Sequence, residues 1–214
     1  MLVRPDERRP LAELLRFLEL GERLAHHCAA AQARLAPTPK MRRFLTSQAR
    51  QEAFHATVFH HAALWIDPRH HTHSKQFTPL TEYEKLILDA LDRNDFLETI
   101  VAEQVILESL GEAILLKLEA GLKKRGAPFQ RLRKVLLHQE EAHHGFGTRV
   151  LDEAITDGTT DHGELRHKAE PYLLLTNSLV LTLQSRFDDI AEDPNEYLAT
   201  QQQLLPKWLH TPVS

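Results

Sequence analysis

The stretch Gln139-Glu140-Glu141-Ala142-His143-His144-Gly145-Phe146-Gly147 constrains this chain most, because it sets carboxylates and imidazoles one helical turn apart within an apolar helix. Residues three apart share a side of a helix, so Glu140 and His143 can face one cation together, and Glu141 and His144 offer the same spacing turned by about 100°. The apolar rhythm chooses between the two registers. Leu132, Val135, Leu136, Gln139, Glu140, His143, Phe146, Gly147, Val150, Leu151 and Ala154 follow the i, i+3, i+4, i+7 pattern of a buried stripe, and Glu141 and His144 fall toward its edge. A buried carboxylate without a partner costs several kcal/mol or takes up a proton, so Glu140 requires a partner, and a metal ion would serve.

A second Glu-x-x-His lies in an earlier helix. The spacing predicts helices from Pro10 to about Leu35 and from Met41 to Ile66, divided by Pro37-Thr38-Pro39, which cannot continue a helix. The first carries Glu22 in its apolar stripe; the second carries Glu52 and His55. If the chain turns near Pro37, Glu22 and Glu52 lie at equal depth on neighbouring helices. Chance gives about one Glu-x-x-His in a chain of this composition, and four occur here. Glu164/His167, beside a loop, shows how cheaply the spacing arises. The stronger signal is two copies on buried faces, each preceded by a long helix with a Glu in its stripe.

That preceding helix is expected, for the second copy, from Thr81, with a Thr81/Glu84 capping box, to about Leu122, bent near Asn94 or Gly111. Glu108 matches the depth of Glu140 within about half a turn around a turn near Lys124–Arg125. Glu103 lies too deep and Glu112 leaves the stripe, and these two remain the alternatives. Glu19, Glu103, Glu112, Glu119 and Glu141 read as solvated groups or as supports for the site. The segment from Asp67 to Pro79, with His70, His71 and His73, reads as a solvated crossover in preference to a metal site. Beyond the polar break at Asp157–Gly163, Tyr172–Leu183 predicts a fifth long helix, on the bundle or at a subunit interface, the latter giving a homodimer. A short helix and a tail anchored by Trp208 follow.

Four carboxylates, Glu22, Glu52, Glu108 and Glu140, with His55 and His143, balance two divalent cations; without them the carboxylates would repel one another in a core. Oxygen and nitrogen donors without thiolate suit iron or manganese. Scarce glycine and Leu/Ala/Glu-rich runs favour an all-α protein, and residues 1–214 read as one domain, with the metal-binding bundle at about 11–157 and the extra helix and tail at about 164–214. The single Cys28 excludes an intrachain disulfide framework and fits a reducing cytoplasm. No signal peptide or membrane span is expected. A net charge of −4 argues against nucleic acid as a partner.

The pattern Glu22, Glu52-Ala53-Phe54-His55, Glu108, Glu140-Glu141-Ala142-His143 resembles the ferritin-like di-iron carboxylate superfamily over about Leu11 to Ala154. Ile106-Leu107-Glu108 with Gln139–Gly147 is similar to the corresponding helices of aldehyde-deformylating oxygenases and, more distantly, the ribonucleotide reductase small subunit. The resemblance implies a four-helix bundle with one or two additional C-terminal helices, and two iron ions, or a manganese/iron pair. It also implies that Glu52 and Glu140 bridge the ions while Glu22/His55 and Glu108/His143 complete one each. The expected function is a non-haem di-iron oxidoreductase that uses O2 and an electron donor on a small organic or lipid-like substrate, with Phe54, Phe59 and Phe146 lining a cavity and Gly111, Gly145 and Gly147 leaving room. Iron storage or peroxide detoxification is the alternative.

Overall fold

The computed structural model describes residues 3–68 and 78–210, which are helical with no strand among them; His70, His71 and His73 lie outside the described residues. Helix α1 (Arg8–Leu35) runs to the proline-containing break, and α2 (Pro39–Ile66) leaves it at once. Thr38 is extended and its Oγ1 accepts the Met41 N–H at 3.2 Å, while Pro39 takes the first helical position, where its missing N–H goes unused. The two helices pack along one another as a hairpin.

The third expected helix is broken where the sequence allowed it, at Asn94. Helix α3 (Thr78–Asp92) starts three residues before Thr81, so Thr81 and Glu84 sit inside it and form no capping box. Asn94 then adopts φ 57°, and Asp95 Oδ1 accepts the Glu98 N–H at 3.0 Å to start α4 (Phe96–Ile100). A π-helical segment, Val101–Leu107, connects α4 to α5 (Glu108–Lys124) without interruption. The 3.6-residue periodicity gave no warning of it. Gly126, at φ 64°, turns the chain toward α6 (Gln130–Thr156). Val135, assigned to the α6 stripe by spacing, is 49% exposed, so the buried face is narrower than expected.

Helix α7 (His162–Thr182) starts well before Tyr172, because Asp161 caps it through the Glu164 N–H at 2.8 Å and Pro171 is carried within it. Helices α8 (Gln184–Asp189) and α9 (Pro194–Leu204) and a 3-10 turn at Lys207–Leu209 follow. The Arg166 guanidinium donates to the Trp208 carbonyl at 2.7 and 3.0 Å, so Trp208 anchors the tail through its backbone. Leu165, Tyr172, Leu179, Phe187, Tyr197 and Leu209 join one hydrophobic core with Ile100, Val105 and Ile106. The C-terminal helices therefore cover the π segment and α5. No helix among the described residues is long and apolar enough to cross a membrane.

The π segment lies close against α6. A Cβ on Gly147 would stand 2.5 Å from Gln104 Cβ and 3.1 Å from the Gln104 carbonyl carbon. The room that Gly147 leaves is thus filled by Gln104 rather than open at the site. Gln104 and Gln32 exchange amide hydrogen bonds at 2.7 and 3.0 Å, and Gln104 Nε2 also donates to Gln48 Oε1 at 3.3 Å, which ties the segment to α1 and α2.

Candidate metal centre

The six residues singled out by spacing meet in the bundle, all buried. Glu22 comes from α1, Glu52 and His55 from α2, Glu108 from the start of α5, and Glu140 and His143 from α6. They form two overlapping groups whose donor atoms lie within 4.8 Å of one another: Glu22, Glu52, His55 and Glu140, and then Glu52, Glu108 and His143. Glu52 belongs to both. Its Oε2 lies 3.1 Å from His55 Nδ1 and its Oε1 2.8 Å from His143 Nδ1, so one carboxylate spans the two imidazoles. His55 Nδ1 also faces Glu140 Oε1 at 2.9 Å and Glu22 Oε2 at 3.4 Å, and His143 Nδ1 faces Glu108 Oε1 at 3.8 Å. Glu140, unlike Glu52, falls in the first group only.

The histidines are oriented by a crossed pair of glutamines. His55 Nε2 donates to Gln139 Oε1 at 2.8 Å, and His143 Nε2 donates to Gln51 Oε1 at 2.7 Å. Gln51 and Gln139 each immediately precede the glutamate of a Glu-x-x-His, so each motif supplies the acceptor for the other motif's histidine. An imidazole that donates through Nε2 presents a lone pair at Nδ1 when neutral, and both Nδ1 atoms point at carboxylates. Spacing had placed Gln139 in the stripe without giving it this role. The recurrence of Gln-Glu-x-x-His was the signal available in the sequence.

The electrostatics show what such a set needs. Burial pushes the Glu22 and Glu140 carboxyls well above the usual range, and neighbouring carboxylates add to it. Glu52 is desolvated too, but His143 and His55 pull it below that range. Burial works against the charge on His143, yet Glu108 and Glu52 raise it to about 10, and His55 is raised in the same way by Glu140, Glu22 and Glu52. Protons thus hold the cluster together. Both oxygens of Glu52, Glu140 Oε1 and the Nδ1 atoms of His55 and His143 are buried and face only one another, with no well-formed hydrogen bond among them. Carboxylate oxygens and imidazole nitrogens converging with no thiolate are donors for a metal ion, so the residues fit bound metal, which would take the place of those protons.

The neighbouring residues sort themselves by side of the helix. His144 turns from the centre and meets Glu112, with Nδ1 to Oε2 at 3.3 Å, and the Glu141 side chain is exposed at 71%. Glu19 is not solvated: it is buried and paired with Arg16, Arg23 and His60. Glu119 pairs with Arg133 at 2.5 Å. Glu103, an alternative to Glu108 that helical depth disfavours, is fully buried beside it. Tyr83, though distant along the chain, donates its hydroxyl to the Ala102 carbonyl at 2.5 Å, one residue from Glu103.

An apolar cavity of about 40 Å³ touches one side of the cluster. Phe17, Leu18, Ala25, Leu80, Leu107, Leu110 and Ile114 line it, Gly21 and Gly111 open it, and Glu22, Glu108 and Glu140 form its floor. Neither histidine reaches it. Phe54 is 47% exposed on the outside of α2, and Phe146 stacks on Phe44 at 4.0 Å beside His143, so none of the three phenylalanines expected there lines the cavity.

No protein-family model matches this chain, and no curated protein matches it by sequence. Among solved structures it is similar to a protein with aldehyde deformylating oxidase activity from Synechococcus, at 17% identity and a TM-score of 0.79, over 98% of this chain and 92% of that one. The fold is accordingly a ferritin-like helical bundle carrying additional C-terminal helices.

Proposed function

We propose that the protein is an O2-activating di-iron oxidoreductase acting on a small apolar organic substrate, with residues 1–214 as one domain. Glu22, Glu52, His55 and Glu140 would hold one ion and Glu52, Glu108 and His143 the other, with Glu52 shared. The observation that carries this reading is the pair of crossed Gln-Glu-x-x-His motifs, whose buried donors converge on one another beside an apolar cavity that Glu140 reaches. The oxidase activity in the name of the Synechococcus neighbour agrees with it.

Iron bound there would supply electrons to O2. The chain's own residues would do the rest. Gln51 and Gln139 fix each imidazole through Nε2 with Nδ1 turned to the carboxylates, so metal binding would release a proton but need little reorientation. The carboxylates of Glu22, Glu108 and Glu140 face the cavity, which makes this the side on which O2 and substrate approach. The apolar wall excludes water and offers no cationic side chain to an anionic substrate. Iron storage is the competing reading. Against it, α7 and α9 cover the π segment and α5, and would obstruct assembly of a cage through that flank.

Anaerobic titration with Fe2+ followed by O2, with metal content and absorption spectra recorded, tests the proposal. About two ions per chain and an O2-dependent spectral change are expected, lost in His143→Ala and retained in His144→Ala. Failure to bind iron or manganese would defeat the reading, and iron accumulating far beyond two ions per chain in a large shell would support storage.

A further inference from the structure

The π segment brings one more carboxylate to the centre. In an α-helix, residues five apart point about 140° away from each other, so Glu103 and Glu108 would face different neighbours. Here the Glu108 N–H bonds the Glu103 carbonyl, the i→i−5 contact of a π turn, and the two side chains fall on one face. Gln48 shows how near they are: its Nε2 donates to Glu103 Oε1 at 3.1 Å and to Glu108 Oε1 at 2.8 Å. That amide cannot turn over freely, because its Oε1 accepts from Gln104, which is itself locked to Gln32.

Glu103 has no cation of its own. It is fully buried, no ion pair reaches it among the described residues, and its Oε2 has no hydrogen-bond partner. An anionic group costs several kcal/mol in such a place, and a glutamine would have satisfied Gln48 equally well. A carboxylate there needs a further reason. Glu103 lies outside the two groups whose donors are already within 4.8 Å, so it would reach the centre by a side-chain rotation past Glu108.

We propose that Glu103 is a seventh protein ligand, whose free Oε2 joins or exchanges with Glu108 at the cation position framed by Glu52, Glu108 and His143. The proposal rests on the metal reading above. One position draws on four residues and this one on three, so Glu103 would bring it to four and add an anionic oxygen that a divalent ion already favours. The π turn is then what makes the exchange available, since it sets both carboxylates on one face and within reach of one amide.

Co2+ titration of the wild type, Glu103→Gln and His143→Ala, followed by metal content and visible absorption, tests it. The glutamine keeps the shape and still accepts from Gln48, but removes the anionic oxygen. The expected result is that Glu103→Gln binds its first ion as the wild type does and its second about tenfold or more weakly, with an altered Co2+ spectrum, and that His143→Ala weakens the same ion. The metal-free Glu103→Gln protein should melt no lower than the wild type, which separates lost ligation from misfolding. Glu103→Ala, lacking both oxygens, should reproduce the weakened second ion and serves if the glutamine variant fails to fold. Wild-type affinity for both ions with an unchanged spectrum in the Glu103 variants overturns the proposal. A wild type that binds no Co2+ and no iron overturns instead the metal reading on which it rests.

Discussion

The most informative residues beside the six-residue cluster are the two glutamines that hold its histidines. Gln51 and Gln139 each fix the histidine of the opposite motif, so the two halves of the site orient one another across α2 and α6. Replacing Gln139 with Leu removes the acceptor for His55 Nε2 and leaves that N–H buried and unpaired. By the usual effect of losing a partner to a metal-ligating histidine, metal affinity should fall about 10- to 100-fold. Equal affinities in Gln139→Leu and the wild type, measured by competition with a chelator, would show that the histidines are positioned by packing alone. Gln51→Leu should weaken binding comparably, through His143.

At the scale of elements, the contact between the π segment and α6 decides where Glu108 begins. Gly147 permits that contact, since any Cβ there meets Gln104 at 2.5 Å, and the neighbour is held by Gln32 and Gln48 and cannot move aside. Gly147→Ala should therefore destabilise the protein by about 1–3 kcal/mol, as overpacking of a filled core does. Thermal unfolding followed by circular dichroism checks this. A variant as stable as the wild type would mean that the segment relaxes easily toward ordinary α-helix. Gly21 is a useful contrast, because a Cβ there meets nothing within 4 Å. Gly21→Ala should be tolerated and, by better helix propensity, slightly stabilising.

At the scale of the molecule, ion pairs tie distant segments together. Glu7, before α1, accepts from the Arg125 guanidinium at 2.7 and 2.9 Å, joining the start of the chain to the turn between α5 and α6. Arg125 holds the Glu7 carboxyl down from about 4.5 to about 2. A depressed carboxyl contributes stability that is fully present above its unfolded value and is lost as pH falls through the folded one. The wild type should thus lose stability between about pH 4.5 and 2 more steeply than Glu7→Gln, as read from denaturant unfolding at a series of pH values. Parallel curves for the two proteins would show that the pair is too well solvated to matter. Glu13 with Arg186, and Asp95 with Lys168, connect α1 and the start of α4 to the C-terminal helices in the same manner.

Periodicity and spacing alone located the long helices, the break at Pro37 and the six residues that meet in the core, and narrowed the bend to Asn94 or Gly111, of which Asn94 is where the helix breaks. These are properties of a repeating helix, in which sequence distance converts directly into direction and depth. The choice of Glu140 and His143 over Glu141 and His144 was legible for the same reason: one residue turns a side chain by about 100°. For Glu103 that conversion fails, because a π turn brings it to the face of Glu108, and nothing in Val101–Leu107 marks the change of pitch. It is set by what presses on the segment: Gly147 on one side, Gln32 and Gln48 on the other, and the C-terminal helices above. The crossed glutamines and the cavity walls were likewise decided only by tertiary packing, since each joins residues from different helices whose relative rotation no single helix contains.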